Sequence, residues 1–304
     1  MANCLVLGAD GFLGSHLTMS LLKKHNVSVL DKFRHGRLSQ HLGIEKFEGD
    51  YTNISFLKKA LEGKDYVFNF VSSSSPADSM NDPFSDILKL QSSVLFLKCC
   101  VEAGIKKVIY PSTGGAIYGR CSKKAFKETD PLSPISPYAI NKLAFENYLG
   151  YYKNTFNLDF VIYRISNPYG PLQNISGAQG IIPIYLNNIK NNISLTVYGD
   201  GSMTRDYIYI SDTVRMIADT FEISRESVYN LGSGISYSVN DIIYEISSVV
   251  KKPVQIDYKP MRNTDIKNVT LDMSRFKNEF NIEPGTNLRE GIFHTWDYVS
   301  SLTP

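Results

Sequence analysis

The sequence predicts an α/β fold: a doubly wound parallel sheet of about seven strands with a smaller, mixed C-terminal lobe. Three observations carry this. Short β-branched runs alternate with helical periodicity through the first half of the chain, the pattern of strands joined by crossover helices. A glycine-rich stretch stands where the first strand gives way to the first helix. After about residue 171 the rhythm stops, and turn signals such as "GDGS" (199–202) and "KP" (259–260) take over.

In chain order the strand-like runs are "CLVLG" (4–8), "VSVLD" (27–31), "IEKFEGD" (44–50), "YVFNFV" (66–71), "KKVIYPS" (106–112), "FVIYRISNPYG" (160–170) and "VYNLGSG" (228–234). Helical periodicity fills 12–24, 54–62, 85–103 and 137–154 between them. Residues 1–170 therefore read as the doubly wound domain, to which 206–232 returns, and 171–205 with 233–304 as the smaller lobe.

A chain of 304 residues with 43% hydrophobic and 20% charged content has the composition of a globular protein with a sizeable core. The net charge of +2 gives no field to attract nucleic acid. No run of apolar residues is long enough to span a membrane, and "MANCLVLGADGFLG" lacks the basic start of a secretory leader. The four cysteines and five histidines show no metal-ligand spacing, so no metal is expected and the thiols read as reduced. The expected location is the cytoplasm.

In "GADGFLGSHL" (8–17), Gly8, Gly11 and Gly14 lie three apart. Glycine permits a tight turn and close approach of backbone to a pyrophosphate, and the following helix N-terminus offers unpaired N–H groups. A glycine trio alone also fits a plain strand-to-helix turn. Asp31 strengthens the nucleotide reading, because it ends the second strand where a carboxylate accepts the ribose hydroxyls of NAD and repels the extra phosphate of NADP. Asp50, ending the third strand, can reach the adenine. Lys32, Arg34 and Arg37 leave room for NADP, but NAD is favoured.

The second constellation is "SPYAINK" (136–142). Tyr138 and Lys142, four apart, project from one face of a helix that Ser136 and Pro137 start. A phenol with a pKa of about 10 is a weak base at neutral pH, and a lysine cation beside it lowers that value by roughly 1–3 units. Such a pair can remove a hydroxyl proton while hydride leaves for NAD. A Ser or Thr hydroxyl commonly holds the reacting oxygen, and Ser112 or Thr113 at the end of the fifth strand are the candidates.

Together with "GDYTN", "STGGAIYG", "YRISNPYGP" (163–171), "VYGDGSMTRDYIYISD" (197–212), "YNLGSG" and "PMRNTDI" (260–266), these motifs make the chain resemble the extended short-chain dehydrogenase/reductase superfamily. Within it the resemblance is to the NAD-dependent sugar-nucleotide epimerases typified by UDP-glucose 4-epimerase, almost end to end. The resemblance implies a Rossmann domain, NAD as cofactor and a nucleoside-diphosphate sugar as substrate. It implies Phe12, Leu13, Tyr51, Phe70 and Val71 as further cofactor contacts, with Tyr138 and Lys142 also touching the cofactor. Ser73, Asn167, Arg205 and Arg262 become substrate contacts, the arginine forks suiting a diphosphate. Relatives pair two long helices into a homodimer, and 85–103 and 137–154 here are apolar on more than one face.

Three departures stand out. The usual catalytic Ser or Thr, four residues before Tyr118, is Gly114; the fourth strand ends in the hydroxyl-rich "FNFVSSSSP" (68–76); and Lys89 aligns where an Asn is often found. Relatives that catalyse 4,6-dehydration carry an Asp-Glu pair after the Thr, whereas Thr113 is followed by Gly114 and Gly115, which argues against dehydration. A 4-epimerase is the expected activity. A keto-sugar reductase using the same residues is the alternative, and a silent NAD-binding sensor, which has no reason to keep both Tyr138 and Lys142, comes third. Abundant Lys, Asn and Ile fit a gene from a bacterial surface-polysaccharide (lipopolysaccharide) cluster.

Overall fold

The computed structural model describes the chain except residues 39–40, 42, 72–75, 121–122, 177–179, 262–266 and 303–304, and except the side chains of 76–78, 85, 86 and 89 within helices. The chain runs β1 (Asn3–Leu7), α1 (Phe12–Leu21), β2 (Asn26–Asp31), β3 (Glu45–Glu48), α2 (Ile54–Leu61), β4 (Tyr66–Asn69), α3 (Pro76–Asn81), α4 (Pro83–Glu102), β5 (Lys107–Thr113) and α5 (Pro137–Phe156). It continues through β6 (Asp159–Ile165), β7 (Asn167–Tyr169), α6 (Ile181–Lys190), β8 (Leu195–Tyr198), β9 (Thr204–Tyr209), α7 (Ile210–Thr220) and β10 (Val228–Leu231). Last come β11 (Ser236–Ser238), α8 (Val239–Val250), β12 (Ile256–Lys259), β13 (Asn268–Val269), α9 (Ser274–Phe280) and α10 (Leu288–Ser301).

Seven strands form one sheet in the order β10-β6-β5-β4-β1-β2-β3. The ladders of β1 with β2 and β4, of β2 with β3, and of β4 with β5 are parallel. Strand order reverses between β1 and β4, and at such a switch point the strand ends diverge to leave a ligand crevice. The doubly wound sheet read from the sequence is therefore present.

Contacts divide the chain into two compact units: Met1–Thr113 with Ser136–Arg164 and Ile217–Tyr229, and Gly114–Ile135 with Ile165–Met216 and Asn230–Pro304. In the first, the buried side chains of Leu5, Val67, Phe96, Leu97, Phe145 and Leu149 form one cluster between the sheet and α4 and α5. Local chemistry sets the helix ends. Ser136 caps α5 by accepting from the Ala139 N–H at 3.2 Å, Pro137 opens the first turn, and Asn157 closes the helix in the left-handed region with φ 55°.

The second unit holds two smaller sheets. One has the order β11-β9-β13 with β7 also pairing β9; the other is β12-β8. Parallel and antiparallel ladders occur together there. Helix α10 packs on α6 and α8. Gly291 of α10 is required by Tyr169, whose hydroxyl lies 2.1 Å from where a Cβ at 291 would stand.

The sequence run 160–170, expected as one strand, divides at Ser166. Ser166 still donates its N–H to Leu231 of the large sheet, at 2.9 Å, and Asn167–Tyr169 then pairs with β9 instead. Pro168 has no N–H to give to a ladder, which suits a three-residue strand better than the interior of a sheet.

Candidate active site

The turn after β1 explains the glycine spacing. Gly8 has φ 75°, and a Cβ there would lie 2.6 Å from the backbone C and O of Phe70 and 2.7 Å from the N of Val71. A Cβ on Gly14 would lie 2.1 Å from the Gly8 carbonyl oxygen. Both positions need the missing side chain because backbone crosses backbone. Gly11 is the N-cap of α1, and no side chain caps that helix. The N–H groups of its first turn, at Phe12, Leu13 and Gly14, are the kind that an anion satisfies. These features fit a dinucleotide pyrophosphate.

Asp31 lies half-buried at the end of β2. Its Oδ2 accepts from the Asp10 N–H at 2.9 Å and its Oδ1 from the Lys32 N–H at 2.6 Å, which fixes the carboxylate beside the glycine turn. Asp10, which the sequence reading passed over, is fully buried. Its carboxylate accepts from the backbone N–H groups of His35, Gly36 and Arg37 at 2.6, 3.1 and 2.7 Å, and the Arg37 guanidinium returns a bond to the Asp10 carbonyl at 2.6 Å. Asp10 thus holds the loop after β2. Its partners are some 25 residues away, so no local pattern marks it.

Asp50 pairs with Lys32 at 2.6 Å. That lysine, followed by the N–H and hydroxyl of Thr52, holds its carboxyl down to about 2. Two of the three cations near Asp31 are therefore engaged within the protein, Lys32 by Asp50 and Arg37 by Asp10. Tyr51 is partly buried against the core cluster, and burial raises its phenol above the usual range. Phe70 is buried and Val71 half-buried beside Gly8.

Tyr138 and Lys142 stand one turn apart on α5. The Lys142 ammonium donates to the Pro111 carbonyl at 2.8 Å and lies over the Tyr110 ring, 4.6 Å from its centroid, and 5.7 Å from the centroid of Tyr138. Burial lowers the Lys142 pKa to about 8, against the opposing pull of Glu146. The pair joins a half-buried phenol to a buried ammonium, an arrangement that can stabilise phenolate near neutral pH.

The two hydroxyl candidates differ in environment because β5 is buried along its length up to Ser112 and ends at Thr113. Ser112 is buried and donates to Glu146 Oε1 at 2.5 Å, whereas Thr113 is half-exposed at the carboxyl end of β5. Glu146 in turn is held by Arg164, Nη2 to Oε2 at 2.7 Å. The sequence reading used neither Glu146 nor Arg164.

In the second unit, Asn167 donates from Nδ2 to the Asp206 carbonyl at 2.8 Å, and Arg205 donates to the Thr204 carbonyl at 2.8 Å. Between these sits Asp206, fully buried and likewise unforeseen. Its carboxylate accepts from the backbone of Ser233, Gly234 and Leu271 and from the Ser233 hydroxyl, while burial raises its pKa. Ser73 and Arg262 lie outside the described residues, as does the side chain of Lys89. Among the described residues no group of three or more His, Cys, Asp or Glu could hold a metal ion, and no helix is long and apolar enough to cross a membrane.

Comparison with known proteins agrees with this geometry. The model of the NAD dependent epimerase/dehydratase family matches residues 4–232. The chain is 31% identical to UDP-glucose 4-epimerase of Mycolicibacterium smegmatis over 97% of each chain. It is equally 31% identical to dTDP-4-dehydro-6-deoxyglucose reductase of Escherichia coli, over 95% of this chain and 94% of the relative. The crystal structure of Thermus thermophilus UDP-glucose 4-epimerase, a complex with NAD, superposes with a TM-score of 0.92 at 29% identity, covering 99% of this chain and 100% of that one. With a family match over most of its length and a relative matched end to end, the chain belongs to the NAD-dependent epimerase/dehydratase family.

Proposed function

We propose that the protein is an NAD-dependent 4-epimerase of a nucleoside-diphosphate sugar, of the UDP-hexose kind. One observation carries the reading: Tyr138 and Lys142 occupy successive turns of α5, with the ammonium held between the Pro111 carbonyl and the Tyr110 ring. Gly8, Gly11, Phe12, Leu13 and Gly14 would hold the NAD pyrophosphate, Asp31 the adenosine ribose, Asp50 and Tyr51 the adenine side, and Phe70 and Val71 the segment nearer the nicotinamide. Bound NAD supplies the hydride acceptor for the sugar carbinol. Tyr138, held as phenolate by the Lys142 ammonium, takes the proton of the C4 hydroxyl and becomes a neutral phenol as the hydride leaves C4, and Thr113 holds the sugar oxygen. Ser112 is left out of this step because its hydroxyl is committed to Glu146. Asn167 and Arg205, with Ser73 and Arg262, would hold the nucleoside diphosphate.

Epimerisation needs the keto sugar to turn over before the proton and hydride return. Of Gly114 and Gly115, the second supports that, since the nearest atom to a Cβ at Gly115 would be Asn167 Oδ1 at 3.8 Å. Both stand where a 4,6-dehydratase of the family would need its acid pair. Reduction of a 4-keto-6-deoxy sugar nucleotide is the second reading, favoured by the match to the Escherichia coli reductase.

Acid release of cofactor from freshly purified protein separates the two. Near-stoichiometric NAD, followed by interconversion of UDP-hexoses, supports the epimerase. An empty site that fills reversibly with reduced cofactor, together with turnover of a 4-keto-6-deoxy sugar nucleotide, supports the reductase.

The protein acts as a homodimer in this reading. Phe84, Ile87 and Leu88 on α4 are 79%, 59% and 66% exposed, and Ile140 and Tyr151 on α5 are 52% and 53% exposed, an apolar face too large to leave in water. Sedimentation at micromolar concentration tests it, and a monomer refutes it. The buried free thiols of Cys4, Cys99 and Cys100 suit a reducing compartment, and we place the enzyme in the cytoplasm.

A further inference from the structure

Glu146 is a buried acid that neither the cofactor turn nor the sugar contacts use. It follows Lys142 by one turn of α5 and Tyr138 by two, so phenol, ammonium and carboxylate form one stripe along the helix. Both carboxylate oxygens are taken. Oε2 accepts from Arg164 Nη2 at 2.7 Å; Oε1 accepts from Arg164 Nε at 3.3 Å and from Ser112 Oγ at 2.5 Å. Arg164 comes from β6 and Ser112 from β5, and the side chains of Glu146 and Arg164 are each 5% exposed.

A buried ion pair is a weak source of stability. The desolvation of both charges offsets their attraction, and apolar side chains of the same volume would fill the space as well. The groups around Lys142 indicate another use. From β5 come the Tyr110 ring and the Pro111 carbonyl, and from α5 come Tyr138 and Glu146. Arg164 of β6 stands behind Glu146, and Tyr51, ahead of α2, acts on Tyr110. Within this set Glu146 is the carboxylate. Burial drives Lys142 towards its neutral form, and Glu146 is the charge that opposes it.

We propose that Glu146 and Arg164 are positioning residues for the proton-transfer pair: the carboxylate keeps a negative charge beneath Lys142, and the Arg164 fork with the Ser112 hydroxyl fixes it there. The inference rests on Tyr138 and Lys142 being that pair, but its test does not require turnover. The charges predict shifts of opposite sign. Removing the carboxylate leaves Arg164 as an unmatched cation near Lys142, which disfavours the ammonium. Removing the guanidinium leaves Glu146 to Lys142 alone, which favours it.

The full-length protein, labelled with 13C at the lysine ε-carbon, is followed by NMR across the alkaline range. The resonance missing from Lys142→Met identifies the residue. A midpoint near 8 is expected for the parent. It should fall by about one unit, tenfold in proton affinity, in Glu146→Gln and rise by a similar amount in Arg164→Gln. Arg164→Lys, which keeps the charge, should hold it near the parent value. Should either single variant fail to fold, the Glu146→Gln, Arg164→Gln double variant carries the test: its midpoint falls, by less than in Glu146→Gln, because the nearer charge is gone. One midpoint shared by all folded variants, with only their melting temperatures lowered, overturns the proposal and leaves the pair a structural one. The alkaline limb of kcat/KM against pH for a UDP-hexose should move in the same order. If no sugar nucleotide turns over while the NMR midpoints shift as stated, the functional reading fails, whereas the hold of Glu146 and Arg164 on the Lys142 charge stands.

Discussion

Replacing Gly8 by alanine should damage the protein far more than replacing Gly63, although the two glycines share a left-handed backbone with φ 75° and 67°. At Gly63 a new Cβ meets nothing within 4 Å. The cost there is the left-handed strain of about 1–2 kcal/mol, less about 0.4–1 kcal/mol returned by the stiffer unfolded chain, for a net of about 1 kcal/mol or below. At Gly8 the same strain applies, and the Cβ also lies 2.6 Å from the Phe70 backbone, about 0.8 Å inside the 3.4 Å of ordinary contact. Backbone cannot rotate aside as a side chain does, so β1 and the end of β4 must separate, an overpacking cost of about 1–3 kcal/mol. The total is about 1–4 kcal/mol, of which the overpacking of about 1–3 kcal/mol is absent at Gly63. Urea denaturation of both variants reads the difference directly, and titration with NAD should show Gly63→Ala binding like the parent while Gly8→Ala loses at least tenfold. Equal destabilisation of the two variants would refute the argument that close backbone approach, rather than φ alone, demands glycine at position 8.

Other outcomes are equally open to measurement. Tyr138→Phe should lower kcat by about 10²–10⁴ while leaving the circular dichroism spectrum and retained NAD unchanged, since it removes the proton acceptor and nothing from the helix. Thr113→Val should lower kcat by about 10²–10³ with little effect on melting, whereas Ser112→Ala should retain most activity and lose about 1–3 kcal/mol of stability by leaving Glu146 short of a donor. Lys142 has its pKa lowered from 10.5 to about 8, so the unfolded chain holds the extra proton between those values and burial of the charge penalises the fold below pH 8. Lys142→Met should therefore gain stability relative to the parent by about 3 kcal/mol more at pH 7 than at pH 10.5, with activity lost throughout; a pH-independent difference would contradict the shift.

The sequence was most informative where chemistry is local. The glycine trio is readable because turn, helix start and pyrophosphate all act within one short segment, and the spacing of Tyr138 and Lys142 needs only the helix repeat. Residues whose partners are distant stayed hidden. Asp10 reads as an ordinary turn acid until β2 brings His35 to Arg37 against it. Glu146 reads as a solvated helix charge until Arg164, on the next strand, pairs with it in the interior. Asp206 follows an arginine in an otherwise strand-like run, and its donors come from residues 233–234 and 271. The division of 160–170 into two strands was likewise invisible, because apolar alternation does not say which sheet a strand joins.

The position of β10 at the end of the seven-stranded sheet bears on how the chain is made. Its partner β6 is complete by residue 165, yet β10 begins only at residue 228. During synthesis, some sixty residues must therefore emerge while the outer edge of β6 stands open, with donors such as the Ile162 N–H waiting for the Ser227 carbonyl. An open edge beside the apolar "FVIYRI" run is a template for pairing with another nascent chain. A fragment ending near residue 170 keeps the glycine turn and the Tyr138–Lys142 helix, but it also keeps that edge, and should collect as aggregate rather than as a working nucleotide-binding domain.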